Sequence, residues 1–166
     1  MSEITRPRSR WRAFQPDTAG AIYGTITATA VIAATVGHAS PRQVLGVTVA
    51  TVLVFWLAHV YAHALAHHLR GATHVQWSAV VAAMREERPM LVAPLPAFLL
   101  LLLGVLGVLD EGRSIRWALW AGVLQLVAWG LAFARRQGWG WPTAAVAGLV
   151  NGVFGLIVVF LEVLLH

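Results

Sequence analysis

Five of the seven histidines fall in one stretch, "FWLAHVYAHALAHHLRGATH" at 55–74, and three of them, His59, His63 and His67, recur every fourth residue. On a helix this spacing stacks the imidazoles on one face, together with Trp56 and, further on, Arg70. A His-x-x-x-His pair can share one transition metal, so the doubled pair is a ladder that a divalent cation could occupy. The same ladder could relay protons, because imidazole titrates near neutral pH. A third account needs no ligand. His63, His67 and His68 end a helix, where the helix dipole favours partial positive charge and imidazoles suit a membrane interface. No carboxylate or cysteine lies within the ladder, and Glu86 and Glu87 could complete a metal shell only through tertiary packing.

Other polar groups sit in apolar surroundings. Counting about 1.5 Å of rise per residue from the expected helix ends, His59, Gln125 and Asn151 all lie near mid-membrane, and Thr25 and Thr29 bracket the same level. Such a layer either ties helices together by hydrogen bonds or lines a hydrated path with His59 as its titratable member. Glu162 is the acid well inside an expected span, on the helix face of Asn151 and four residues before His166. A rim ion pair with His166, His38 or Arg42 and an outer ion-entry site are both compatible with that position.

These residues must be positioned by membrane helices. The 166-residue chain is 58% hydrophobic and 11% charged, with a mean hydropathy of +0.71, far from the soluble average of about half apolar and a quarter charged. Five stretches approach the roughly 20 residues that cross a bilayer: about 18–37, 44–68, 90–109, 115–134 and 142–165. The expected fold is therefore all-α and polytopic: a cytoplasmic basic segment 1–17, then a single five-helix transmembrane domain 18–166. Full span length after Arg6, Arg8, Arg10 and Arg12 argues for a retained first helix rather than a cleaved signal.

All twelve basic residues are arginine, and placing the N-terminus inside puts nine of them in inner segments against Arg42, Arg113 and Arg116 outside. This positive-inside bias predicts a cytoplasmic N-terminus and an external C-terminus. Arginine without lysine, with heavy use of Ala, Val, Leu, Gly and Trp, suggests a GC-rich bacterial genome and so a bacterial inner-membrane protein. Anionic headgroups, not nucleic acid, account for the net charge of +5. The insertion at about 70–89 predicts a short amphipathic cytoplasmic helix: Thr73 and Gln76 have capping-box spacing, Trp77, Val80, Val81 and Met84 recur on one face, and Pro89 ends it. Pro94 and Pro96 should kink the third helix or delay its start. Gly20–Gly24 and Gly148–Gly152 are GxxxG pairs for close packing, within one chain or between copies. There is no cysteine, no GxSxG, no phosphate-binding glycine loop and no HExxH, so no enzyme class is indicated.

Five spans with a helical insertion after the second, "IYGTITATAVI" in the first helix and "LVNGVFGLIVV" in the last resemble the vacuolar iron transporter family. That resemblance implies a dimer carrying divalent iron or manganese. The chain departs from the family's motifs: threonines stand in the region of its first-helix Asp-Gly, "HVYAHALAHH" in that of its second-helix Met and Glu, and the insertion has only Glu86 and Glu87. "FWLAHVYA" and "LEVLLH" also look like stretches of small integral membrane proteins of actinobacteria, a resemblance that implies no function. No residue role is carried over from either group. Two functional expectations stand. One is a homo-oligomeric protein, a dimer being favoured, that moves or binds a divalent metal or a proton through His59, His63 and His67. The other is a non-transporting membrane scaffold or accessory subunit whose polar layer is structural.

Overall fold

The computed structural model describes residues 16–68 and 77–165, folded into seven helices: α1 (Pro16–Ala33), α2 (Pro41–His68), α3 (Trp77–Glu86), α4 (Arg88–Val92), α5 (Leu95–Val105), α6 (Glu111–Arg136) and α7 (Trp141–Leu165). Among the described residues four spans are long and apolar enough to cross a membrane: those in α2, α6 and α7, and α4 with α5 as one segment, Arg88–Val105. The apolar stretch Ala19–Ala33 of α1 is shorter. Large side chains such as Tyr61, Leu124, Leu149 and Phe160 are exposed along these helices, whereas Thr25, Thr29, Thr48 and Ser114 are buried between them. Apolar surface on this scale points to a membrane protein.

Local chemistry sets the helix ends. Ser40 N–H donates to Gln43 Oε1 at 3.0 Å, the reach-back half of a capping box, and Pro41 occupies the first position of α2, where its missing N–H is tolerated. Asp110 Oδ1 accepts the Arg113 N–H at 3.1 Å and caps α6. The chain leaves α5 and α6 through Gly107 and Gly138, both with φ above 70°, a region that side chains disfavour.

The third span differs from its expected 90–109. It begins at Arg88, ends at Val105 and is broken at Ala93–Pro94. The prolines thus produce a break rather than a bend. Only Glu87 separates α3 from α4, and the bonds Glu87 N–H to Ala83 O (2.9 Å) and Met90 N–H to Glu87 O (3.1 Å) carry the backbone across. The helix expected to stop at Pro89 ends at Glu86 and resumes at once, with Pro89 in the first turn of α4. The Thr73–Gln76 pair lies outside the described residues.

Small residues let the helices approach. A Cβ on Gly24 would fall on the Met90 carbonyl group, one on Gly122 on the Thr29 hydroxyl, and one on Gly104 on Ser114. Gly148 and Gly152 lie against Val127 of α6. Both GxxxG pairs are therefore used inside the chain, α1 on α4 and α7 on α6. Ile32, Val44, Leu101, Ile115 and Leu119 join α1, α2, α5 and α6 into the core at the opposite end from Arg136.

Candidate functional site

Trp56, His59 and His63 of α2 are spaced three and four residues apart and share one helix face. That face meets α1 and the α3–α4 corner. His59 Nδ1 lies 2.9 Å from the Phe55 carbonyl of its own helix, which orients the ring, and the Tyr23 ring of α1 packs on it at 5.6 Å between centroids, tilted 56°. The orientation leaves Nε2 as the nitrogen available to a partner. One turn away, Trp56 Nε1 is buried with no hydrogen-bond partner among the described residues.

One turn further along α2, His63 Nδ1 lies 2.8 Å from Glu87 Oε1. The carboxylate side chain is 7% exposed and the imidazole 43%, so the pair joins a buried acid to a ring that reaches the surface. The two atoms are in close contact without the alignment of a hydrogen bond. Gly20 of α1 faces the acid: a Cβ there would lie in ordinary contact, 3.5 Å from Glu87 Oε2 and 3.6 Å from the Met90 nitrogen. A buried carboxylate needs a paired partner, and His63 supplies one.

Sequence reading placed Glu86 and Glu87 together at a distance from the ladder. The structure separates them: Glu86 is exposed, and Glu87 turns inward. The signal was present in the spacing, because Val80, Ala83, Met84 and Glu87 stand at i, i+3, i+4 and i+7, so Glu87 continues the apolar stripe of α3.

The polar-layer residues are engaged in separate places. Thr25 Oγ1 donates to the Ala21 carbonyl at 2.8 Å and Thr29 Oγ1 to the Thr25 carbonyl at 2.7 Å, both within α1. Gln125 Nε2 donates to the Ala93 carbonyl at the α4–α5 break, while its Oε1 is buried without a partner. Asn151 and the Ala147 carbonyl occupy the space a Gly130 side chain would take. Gly130 is five residues past Gln125, so Asn151 sits about 7 Å nearer the α6 C-terminus than Gln125. Thr25, Thr29 and Gln125 thus belong to the surroundings of α1 and α6, His59 and His63 to the α1–α2–α4 side, and Asn151 to the α6–α7 contact.

The side chains of His67 and Glu162 lie outside the described residues. Among the described residues no group of three His, Cys, Asp or Glu side chains is placed to hold a metal ion. Chemically, the site offers a carboxylate and an imidazole in contact, with a second imidazole one turn along. Comparison with protein families, with curated proteins and with solved structures finds no match for this chain.

Proposed function

We propose that the chain is a five-span inner-membrane protein that handles a cation, the proton before a divalent metal, along the histidine face of α2. The observation that carries the proposal is the 2.8 Å contact of His63 Nδ1 with the buried Glu87 carboxylate. A carboxylate and an imidazole in contact can pass a proton between them, and a buried acid at the cytoplasmic mouth of a histidine face is a position from which a cation could enter it. His59, oriented by Phe55 and covered by Tyr23, is the next station, and His67 continues the spacing toward the arginine-rich end.

In the proposed topology α1 is the fifth span. Its 18 helical residues cover about 27 Å, close to the hydrocarbon thickness. The arginine bias puts the N-terminus and the α3 helix in the cytoplasm and the C-terminus, with Glu162, outside. Copies of the chain associate through surfaces other than the two GxxxG pairs.

Proton flux in proteoliposomes tests this, with a trapped pH-sensitive dye and a potassium diffusion potential. His59→Ala, His63→Gln and Glu87→Gln should each abolish dye response while leaving helical content intact. Wild-type flux in Glu87→Gln would sink the role of the pair. Stabilisation of the purified protein by Zn, Mn, Co or Fe(II), lost in His63→Ala/His67→Ala, would make a divalent metal the cargo instead.

A structural scaffold is the second reading, and the threonines favour it. Thr25, Thr29 and Thr48 all return their hydroxyls to their own helices, as expected of groups that only need burial. It predicts that His59→Ala lowers thermal stability and changes no ion-dependent signal.

A further inference from the structure

A cleft of about 520 Å³ opens where α3, α4 and the C-terminal end of α6 meet. Three guanidinium groups line it: Arg85 from the last turn of α3, Arg88 from the first of α4 and Arg136 from the last of α6. Among the described residues no aspartate or glutamate lines it. Among the described residues none of the three arginines pairs with a carboxylate. The neighbouring charges are directed elsewhere. The Glu87 carboxylate lies on the far side of the corner against His63 and Gly20. Arg135 stacks over the Trp141 ring at 4.6 Å and donates to the Trp139 carbonyl at 3.0 Å.

Three like charges around one cavity repel each other, and its low-dielectric walls strengthen the field they create. An anion relieves that repulsion. Guanidinium forks match the oxygens of a phosphate group better than a point charge does.

The shape of the cleft narrows the choice of anion. Gln125, Trp129 and Arg136 all line it from α6, four and seven residues apart, so it runs about 16 Å along that helix from the arginine end toward mid-membrane. The facing wall is contributed by Ala93 and its α4–α5 neighbours. A small soluble anion needs only the arginine mouth. A slot extending into the span fits an amphiphile with its charge at the mouth and its chain along α6. Basic pockets between spans take anionic headgroups in this way.

We infer that this cleft binds a phosphate group held by Arg85, Arg88 and Arg136, and that the phosphate is the headgroup of an anionic phospholipid. The inference is independent of the cation path, which runs on the α1–α2 side of the same corner.

The full-length protein in neutral detergent is titrated with phosphatidylglycerol, with phosphatidylcholine and with glycerol 3-phosphate, and binding is followed by native mass spectrometry and thermal shift. Phosphatidylglycerol should bind tighter than phosphatidylcholine. Arg136→Gln should weaken it about fivefold, and Arg85→Gln/Arg88→Gln/Arg136→Gln about a hundredfold, from roughly 1 kcal/mol per arginine. Arg42→Gln/Arg113→Gln/Arg116→Gln removes equal charge at the other end and should keep wild-type affinity. Displacement of phosphatidylglycerol by an equal concentration of glycerol 3-phosphate would keep the phosphate site and make its source soluble. Wild-type affinity in the cleft variant, or equal losses in both triple variants, would overturn the site. Arg136→Gln alone, at an exposed helix end, carries the test should the triple variant not fold.

Discussion

Replacing Gly24 by alanine tests the contact that seats α1. The added methyl would fall on the Met90 carbonyl oxygen and stand only 2.9 Å from its carbon. Both are backbone atoms of α4, so no side-chain rotation relieves the clash and the helices must separate. Overpacking of this kind costs about 1–3 kcal/mol, against which alanine's higher helix propensity returns about 1 kcal/mol. Gly46 is the control, because it is also helical but a Cβ there meets nothing within 4 Å. Gly46→Ala should therefore stabilise by about 0.5–1 kcal/mol. The two identical substitutions should differ by roughly 1–3 kcal/mol, the overpacking cost alone, or about 2–12 °C in the melting midpoint of a chain this size. Thermal unfolding in detergent micelles, followed by circular dichroism, reads the difference. Equal shifts of the same sign in both variants would refute the seating of α1 on α4, and with it the burial of Glu87 beneath Gly20.

Gln125→Leu, which removes the side-chain donor to the Ala93 carbonyl, should cost about 0.6–1.7 kcal/mol, the range of interhelical hydrogen bonds in membranes. Gln125→Glu should cost more, since it sets an acceptor against an acceptor; equal losses by chemical unfolding would remove this bond from the account. Asp110→Ala should cost about 1 kcal/mol through loss of the α6 cap, with faster hydrogen exchange confined to residues near Arg113. Uniform exchange along α6 would contradict that local role.

The length and polarity of α2, α6 and α7 were legible because a bilayer demands long uninterrupted apolar runs, and these helices have them. Pro94 and Pro96 correctly marked disorder in the third span's hydrogen bonding, but proline chemistry alone does not decide between a bend and a break. The Ala93 carbonyl tolerates the break because Gln125, 32 residues away, donates to it, and no local pattern contains that partner. The histidine face of α2 was readable from its spacing. Glu87 was legible in part: its spacing from Val80, Ala83 and Met84 continues the apolar face of α3. Its contacts with His63 of α2 and Gly20 of α1 were not, because both partners are remote in sequence. The depth estimate for Asn151 assumed straight, level helices, and the Gly130 contact shifts it along α6.

The break in the third span bears on biogenesis. During synthesis Ala93 reaches the membrane well before Gln125, and in hydrocarbon a carbonyl without a donor is costly. The segment Arg88–Val105 therefore completes its hydrogen bonding only when α6 packs against it. Insertion of the two segments is coupled through one glutamine side chain, by about 0.6–1.7 kcal/mol.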